Sequence, residues 1–339
     1  MNAVESILTP RPEDPRRVNA IEINGLVRQF GQLVAVDGIS FNVQKGEIFG
    51  FLGPNGAGKT TTNNILCTLL MPTGGNATVN GYDVVRDRLQ VRKSIGLVFQ
   101  DPTLDDRLTA EQNLRFHAYA YGVPKAERET HINELLQLVE LTDRRRSRVV
   151  TFSGGMKRRL EIARGFLHRP SILFLDEPTL GLDPQTRRHI WDYVQSLRHK
   201  EDLTIFMTTH YMDEAEFCDR IAIIDHGKIV ALDTPSNLKG AVGGDVVSIQ
   251  TPDQEKAILE LKERFSLTPI VQNGNVTFSV PRSDTFLPDF IRGFRSGLNA
   301  ISVRRPTLDD VFLKLTGHAI REQEAGAWDQ VRTMMRMRH

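Results

Sequence analysis

The sequence has 339 residues, of which 40% are hydrophobic and 25% charged, and its 43 lysines and arginines nearly balance 42 aspartates and glutamates. This length corresponds to about two domains, and this composition is that of a globular protein rather than of a long disordered chain. The near-zero net charge argues against a dedicated nucleic-acid binder. Two cysteines are too few for a disulfide framework, which favours a reducing compartment such as the cytoplasm.

Residues 1–18 contain prolines among charged residues and predict a flexible N-terminal arm rather than an export signal. From 19 to 239, short apolar runs alternate with longer amphipathic stretches, which is the pattern of an α/β domain with a mostly parallel sheet. Its strand candidates are 47–52, 94–99, 172–175, 204–208 and 220–224. An Asn80-Gly81 pair between β-prone residues predicts a tight turn and an antiparallel element. No apolar run reaches the length of a membrane-spanning helix.

A glycine-rich loop follows the first of these strand candidates and precedes an apolar-periodic helix that begins near Thr61. The loop consists of Gly53, Pro54, Asn55, Gly56, Ala57, Gly58, Lys59 and Thr60. In such a loop the backbone N–H groups point at phosphates, the lysine adds a cation for the terminal phosphates, and the threonine offers a hydroxyl to Mg²⁺. The strand–loop–helix context therefore favours a nucleotide-phosphate site over an ordinary glycine turn with a surface lysine.

A serine followed by two glycines, Ser153, Gly154 and Gly155, stands directly before another predicted helix. Read alone, these residues are an N-cap and a turn. Read together with the phosphate loop, they predict a second phosphate clamp, because a serine and free N–H groups at a helix N-terminus bind anions. One chain already has a clamp in its own loop, so we expect the second clamp to serve a nucleotide held by another subunit.

Two carboxylates, Asp176 and Glu177, end the buried-strand run 171–175. Open α/β sheets bind their ligands at the carboxyl ends of the strands. A merely solvated pair is the alternative, but a phosphate loop requires a partner of this kind. We expect Asp176 to hold Mg²⁺ through its water shell and Glu177 to orient and polarise the attacking water.

The composition changes again at 239–244, which predicts a linker. Beyond it the elements follow the order βαββαβ, the ferredoxin-like arrangement. A last helix is predicted between an N-cap at Thr307 and a terminating Gly317. We therefore expect a small α+β accessory domain at 245–317. The tail at 318–339 mixes arginines with apolar residues, which fits a membrane surface, a partner subunit or simple solvation.

The ordered set of motifs resembles the ATP-binding cassette (ABC) family over 19–239. In chain order the matching residues are Phe30 for the adenine-stacking aromatic, Gly53 to Thr60 for the Walker A loop, Gln100 for the Q-loop, Ser153 to Gly155 for the signature, Asp176 and Glu177 for Walker B, Asp183 for the D-loop and His210 for the switch histidine. Two residues depart from the family pattern. Phe152 replaces a leucine and Met156 a glutamine of the signature.

The resemblance implies the fold of a P-loop NTPase, with a mostly parallel sheet, an antiparallel subdomain and a helical subdomain. It also implies an ATPase that dimerises head-to-tail around two Mg-ATP. In that dimer Glu177 would be the general base, His210 would stabilise the γ-phosphate, Lys59 would bind the phosphates and Gln100 would touch Mg²⁺ or the water. Asp183 would link the two sites.

A narrower resemblance is carried by 152–185 and 304–312, which are similar to daunorubicin-resistance drug-export ATPases. It implies a homodimeric, peripheral subunit on the cytoplasmic face of the cell membrane. That subunit drives a separate ABC-2 type permease and binds no nucleic acid. Related subunits that export lipids, polysaccharides or ions share much of this pattern and remain alternatives. A soluble ATPase acting on ribosomes or nucleic acid is disfavoured, because the chain has one cassette and no long heptad run.

Overall fold

The computed structural model describes residues 18–201, 203–241, 243–272 and 274–317. The expected N-terminal arm, apart from Val18, and the expected tail at 318–339 lie outside these residues. The chain divides into two compact units between Val230 and Ala231. The domain limits inferred from the sequence stay predictions. Within the described ranges, no helix is both long enough and apolar enough to cross a membrane.

Strands and helices alternate through the first unit. The strands are β1 (Asn19–Phe30), β2 (Leu33–Gln44), β3 (Ile48–Leu52), β4 (Gly74–Val79), β5 (Tyr82–Asp83), β6 (Ile95–Val98), β7 (Ile172–Asp176), β8 (Thr204–Thr209), β9 (Arg220–Asp225) and β10 (Lys228–Asp233), the last of which leads into the second unit. The helices are α1 (Lys59–Leu66), α2 (Arg88–Ser94), α3 (Ala110–Ala120), α4 (Lys125–Leu138), α5 (Gly154–Phe166), α6 (Pro184–Glu201) and α7 (Met212–Ala215).

A six-stranded sheet with the order β10-β9-β3-β8-β7-β6 confirms the expected parallel strands. Strand β3 pairs in parallel with β8 and β9, and β7 pairs in parallel with β6 and β8. Every residue of β3 and β7 is buried, as in a parallel sheet covered on both faces. The carboxyl ends of β3, β6, β7 and β8 therefore meet at one edge of the sheet, where the loops after them carry the candidate site.

An antiparallel sheet with the order β2-β1-β4-β5 forms a second layer. Asn80 and Gly81 have φ values of 52° and 81°, and Val79 pairs with Tyr82 across them, so the expected tight turn is confirmed. The Phe41 ring of β2 stacks on a phenylalanine of β3, with ring centroids 5.2 Å apart. This aromatic contact joins the antiparallel layer to the parallel sheet.

Helices α3 and α4, which lie between β6 and α5 in the sequence, form the expected helical subdomain. A capping box begins α3: the Thr109 hydroxyl accepts from the Gln112 amide at 3.2 Å, and the Gln112 side chain accepts from the Thr109 amide at 2.9 Å. Leu114, Ile132 and Leu136 are fully or almost fully buried. Their burial holds the two helices against the rest of the unit.

The second unit contains a four-stranded antiparallel sheet with helices between its strands. Its elements are α8 (Pro235–Ala241), β11 (Asp245–Gln250), α9 (Gln254–Phe265), β12 (Ile270–Gln272), β13 (Asn275–Val280), α10 (Ser283–Gly293), β14 (Ala300–Arg304) and α11 (Leu308–Thr316). The strand order β12-β13-β11-β14 with βαββαβ connectivity is the ferredoxin-like arrangement, as expected. Its core is built from Val247, Ile249, Leu261, Val276, Phe278, Val280 and Phe290.

Caps fix both ends of α11, the last described helix of the second unit. The Asp310 carboxylate accepts from the Thr307 amide at 2.8 Å, and Gly317 ends α11 with a φ of 80°, so the expected last helix is confirmed. The expected linker at 239–244 is wrong in its first half, because these residues continue α8 to Ala241. The helix is capped at its start, where the Asn237 amide donates to the Thr234 hydroxyl at 3.2 Å, and at its end Lys314 donates to the Ala241 carbonyl at 3.2 Å.

Candidate active site

The glycine-rich loop can close only because two of its residues lack a side chain. A Cβ at Gly53 would lie 2.3 Å from the carbonyl oxygen of Ile224. A Cβ at Gly58 would lie 2.5 Å from the carbonyl oxygen of Ala35, and the φ of Gly58 is 111°. Both contacts are with backbone, which cannot move aside as a flexible side chain could. These glycines allow the loop to curl between β3 and α1.

Exposed backbone and hydroxyl groups line the outer side of this loop. Asn55, Gly56 and Thr60 are exposed, whereas Ala57 is buried. Helix α1 begins without a side-chain cap, which leaves the N–H groups of its first turn, Thr61 included, available to an anion. The loop and helix end therefore present the donors that a phosphate group requires.

The Lys59 ammonium is held inside the loop. Only 4% of the residue is exposed. Its Nζ donates to the carbonyl oxygens of Gly53 at 2.7 Å and Pro54 at 3.1 Å. It also lies 3.5 Å from Oε1 of Glu177. The lysine therefore joins the phosphate-binding loop to the carboxylate at the end of β7.

Glu177 contacts two other residues that the sequence assigned to the site. Its Oε1 lies 3.2 Å from Nδ1 of His210, in addition to the Lys59 contact. Burial alone would raise the pKa of Glu177, but the His210 hydrogen bond and the Lys59 charge outweigh it and lower the pKa. Glu177 is therefore ionised at neutral pH, as a group that accepts a proton from water must be.

The backbone of Glu177 is strained. Its φ is 44°, a left-handed value that is uncommon for a residue with a side chain. Its amide donates to the carbonyl oxygen of Thr208 at 3.1 Å and so ties the strained turn to β8. Strain of this kind persists only where the surroundings hold it, and it concentrates at active sites.

Asp176 is the buried carboxylate beside it. Only 4% of the residue is exposed, and the Thr208 hydroxyl donates to its Oδ1. Burial raises the pKa of Asp176, and the neighbouring Glu177 charge raises it further. A cation bound here would reverse that effect, because it favours the ionised form.

Three of the predicted residues carry the oxygen donors that suit Mg²⁺, and Asp176 is one of them. Thr60 offers a hydroxyl from the start of α1, and Gln100 is exposed just after β6 with an amide oxygen. Among the described residues there is no group of three or more histidines, cysteines or carboxylates that could hold a metal by itself. This composition suits an ion that takes oxygen ligands and leaves its remaining positions to phosphates and water.

The signature residues begin helix α5 at an open surface. The Ser153 hydroxyl accepts from the Met156 amide at 3.3 Å, so the serine is the N-cap. Ser153 and Gly154 are exposed. A Cβ at Gly155 would lie 2.6 Å from Cγ2 of Thr186, which explains the second glycine by packing.

Two further predicted residues lie on the surface. Asp183 caps α6: its Oδ1 accepts from the amides of Gln185 and Thr186, and the Thr186 hydroxyl donates to its Oδ2 at 2.6 Å. Phe30 is 42% exposed, and the Arg28 guanidinium lies 4.3 Å from its ring centroid. One face of Phe30 is therefore covered by arginine, and a base would stack on the other.

Sequence reasoning missed Glu214. This residue is 3% exposed and lies at the end of the short α7 segment. Its carboxylate accepts from the Thr209 hydroxyl at 2.6 Å and from the Thr179 hydroxyl. It therefore connects the residue before His210 with the turn after Glu177. One glutamate among many charged residues gave no signal that could have identified it.

Glu214 is expected to make stability depend on pH. Burial raises its pKa to about 7 from 4.5, and the Thr209 hydrogen bond offsets only part of this. The folded protein therefore favours the protonated Glu214 carboxyl more than the unfolded chain does. The stability that this preference contributes is complete below pH 4.5 and is lost as pH rises through 7. Between pH 5 and pH 8, we expect the wild-type free energy of unfolding to fall by about 2.5 kcal/mol more than that of Glu214→Gln.

Urea unfolding followed by Trp191 fluorescence measures this difference, in a Trp328→Phe background so that only one of the two tryptophans reports. Trp191 lies in α6, in the same unit as Glu214. Glu216→Gln, which changes an exposed carboxylate nearby, is the matched control and should keep the wild-type pH dependence. Identical pH dependence in wild type and Glu214→Gln would contradict the expected effect.

Sequence comparisons cover most of the chain. The family described as ABC transporter matches residues 36–180. The linearmycin resistance ATP-binding protein LnrL of Bacillus subtilis is 35% identical, over 89% of this chain and 100% of that protein. The doxorubicin resistance ATP-binding protein DrrA of Mycobacterium tuberculosis is 40% identical, over 88% of this chain and 93% of that protein.

Solved structures match the fold. The structure of cbiO1 from Clostridium perfringens, part of the ABC transporter complex cbiONQ, matches with a TM-score of 0.62 and 25% identity. The match covers 73% of this chain and 96% of the cbiO1 chain. The ATP-binding cassette MJ0796, a dimer bound to ADP and Pi, has a TM-score of 0.57 and 26% identity, and it covers 63% of this chain and 98% of its own.

Proposed function

Because this chain belongs to the ABC transporter family, among its drug-resistance ATPases, we propose that it is the ATP-hydrolysing subunit of an exporter for drugs or other hydrophobic compounds. The observation that carries the proposal is the contact of Glu177 with both Lys59 and His210 beside the phosphate-binding loop. This arrangement suits phosphoryl transfer to water, in which catalysis rests on positioning and electrostatics.

Each residue of the site has one role in the proposed mechanism. The loop N–H groups and Lys59 bind the phosphates of ATP, and Thr60, Asp176 and Gln100 would hold the metal. Bound Mg²⁺ would neutralise charge on the phosphates. Glu177 orients the attacking water and accepts its proton, because its lowered pKa keeps it ionised. His210 stabilises the γ-phosphate.

A second copy of the chain completes the proposed site. Ser153 and Gly154 are exposed at the N-terminus of α5, a 13-residue helix, so its first N–H groups can meet a nucleotide bound to another subunit. In a head-to-tail dimer, ATP stabilises the closed state because it contacts both subunits, and hydrolysis removes that contact. The exposed Asp183 would link the two sites.

The proposed partner is a separate permease of the ABC-2 type, and the ATPase dimer would bind it at the cytoplasmic face of the membrane. The segment 101–111, which follows Gln100, is the proposed contact. Two aromatic residues on one face of α3 support an apolar contact surface nearby, because Phe116 is 64% and Tyr119 is 61% exposed.

Purification from the native cell tests this proposal. Glu177→Gln, trapped with ATP and extracted in detergent, is expected to bring down a multi-spanning membrane protein at about equal ratio. The control is Lys59→Ala under the same conditions, which should not form the ATP-trapped dimer. Vesicles that contain this membrane protein together with the wild-type ATPase should then take up daunorubicin only with ATP. Ribosomes or nucleic acid in place of the membrane protein would overturn the transport function, and uptake of a lipid, a polysaccharide or an ion alone would overturn the drug substrate.

A further inference from the structure

The guanidinium of Arg158, on helix α5, contacts the backbone that carries the catalytic carboxylate. Its Nη2 donates to the carbonyl oxygens of Asp176 at 3.0 Å and Glu177 at 3.2 Å. Its Nε donates to the carbonyl of Pro178, and its Nη1 donates to the carbonyl of Phe99 at the end of β6. The residue is 6% exposed. One buried side chain therefore holds the ends of two neighbouring strands.

A buried carboxylate holds Arg158 in place. Glu161, one turn further along α5, is fully buried, and its Oε2 lies 3.2 Å from Nη1 of Arg158. The other oxygen of Glu161 accepts from the Thr103 amide at 2.7 Å. Arg164, again one turn on, donates to the Thr103 carbonyl at 2.9 Å. These contacts also attach α5 to the segment that follows Gln100.

We propose that Arg158 is a positioning residue for ATP hydrolysis. It fixes the strained backbone of Glu177 so that the Glu177 carboxylate meets the attacking water. The proposal rests on the ATPase function above and adds a residue that acts on Glu177 without touching nucleotide. A left-handed residue needs surroundings that determine its conformation, and Arg158 donates to its carbonyl and to the carbonyls on both sides. The planar fork of arginine makes several such bonds at fixed angles.

A purely structural role of Arg158 predicts a different experimental result. If Arg158 only satisfies buried carbonyl oxygens, its loss would lower stability while the folded protein kept its turnover. If it positions Glu177, kcat would fall in folded protein while nucleotide binding stayed the same, because Arg158 contacts the catalytic turn rather than the phosphate loop. The split between kcat and KM for ATP therefore separates the two roles.

The experiment compares wild type with Arg158→Gln, Arg158→Lys and Arg159→Gln. Arg159 is the matched control, because it lies on the same helix but donates to the Val139 carbonyl and the Tyr193 hydroxyl, away from the site. Steady-state hydrolysis gives kcat and KM, a fluorescent ATP analogue gives Kd, and circular dichroism confirms folding. For Arg158→Gln we expect kcat to fall about 10- to 100-fold at nearly constant KM and Kd, since a small misplacement of a catalytic group costs about that much.

Arg158→Lys keeps the charge and loses the fork, so we expect a kcat well below wild type with the same KM. It also decides the question if Arg158→Gln does not fold. A kcat within about twofold of wild type in folded Arg158→Lys would overturn the proposal. So would a fall in binding that matches the fall in kcat. Wild type and Arg159→Gln report on the ATPase function itself, because absent hydrolysis in both would count against that function rather than against Arg158.

Discussion

Replacing Glu177 with glutamine is expected to leave ATP binding intact and to reduce hydrolysis by about 10²- to 10⁴-fold, the range supplied by a positioned general base. The amide keeps the size of the side chain but cannot accept the proton of the attacking water. Binding should survive because the phosphate loop and Lys59 are unchanged. Two measurements check this expectation. Single-turnover hydrolysis of Mg-ATP gives the rate, and an ATP titration of the non-hydrolysing Glu177→Gln protein gives its Kd.

The matched control for this change is Glu263→Gln, which alters an exposed carboxylate in the second unit. It should hydrolyse ATP at the wild-type rate. Near-normal turnover in Glu177→Gln would remove Glu177 from the role of base. A loss of ATP binding equal to the loss of turnover would mean that the carboxylate acts in nucleotide binding instead.

For Lys59→Ala we expect ATP binding at least about 30-fold weaker and no measurable hydrolysis. Truncating one partner of a buried, hydrogen-bonded charge pair costs about 2–5 kcal/mol, and about 1.4 kcal/mol corresponds to a factor of ten. In the proposed complex with ATP, the Lys59 ammonium, which is 4% exposed, would form such a pair with the phosphates. Titration with a fluorescent ATP analogue, with and without Mg²⁺, measures the effect.

Lys228→Ala is the control for charge alone, because the Lys228 side chain is 67% exposed and pairs with Asp37 on the surface. It should bind ATP as wild type does, since exposed ion pairs contribute little. Lys59→Arg should not restore binding, because the larger guanidinium would not fit where the ammonium contacts the Gly53 and Pro54 carbonyls. Unchanged ATP affinity in Lys59→Ala would exclude this lysine from the phosphate site.

Much of the fold could be predicted from local sequence signals. The turn at Asn80-Gly81 requires residues that tolerate positive φ, and the buried strand before Asp176 is an uninterrupted apolar run. Such signals depend only on neighbouring residues. The segment 239–241 lacked one, because its glycine reads as a break, whereas the contact at its helical end comes from Lys314, far along the chain. Local composition gives no signal for a contact between residues so far apart in the sequence.

The candidate catalytic group was predicted from motifs, whereas the residues that contact its backbone were not. Lys59, Glu177 and His210 stand in recognisable order, and the structure brings them into contact. Arg158 and Glu161 looked like charged residues on an ordinary helix, yet both are buried. Their contacts run to backbone carbonyls and amides, which every residue has. No side-chain pattern could therefore have revealed them.

The left-handed backbone at Glu177 also has a cost in the free energy of folding. A non-glycine residue in this conformation costs about 1–3 kcal/mol, whereas glycine adopts it freely. Replacement by glycine or asparagine would relieve this strain, but it would also remove the carboxylate that lies 3.5 Å from the buried Lys59 ammonium. The backbone strain at Glu177 and its ion pair with Lys59 therefore act in opposite directions on the free energy of unfolding. In a lineage that stopped hydrolysing ATP, we expect Glu177 and Lys59 to change together rather than singly.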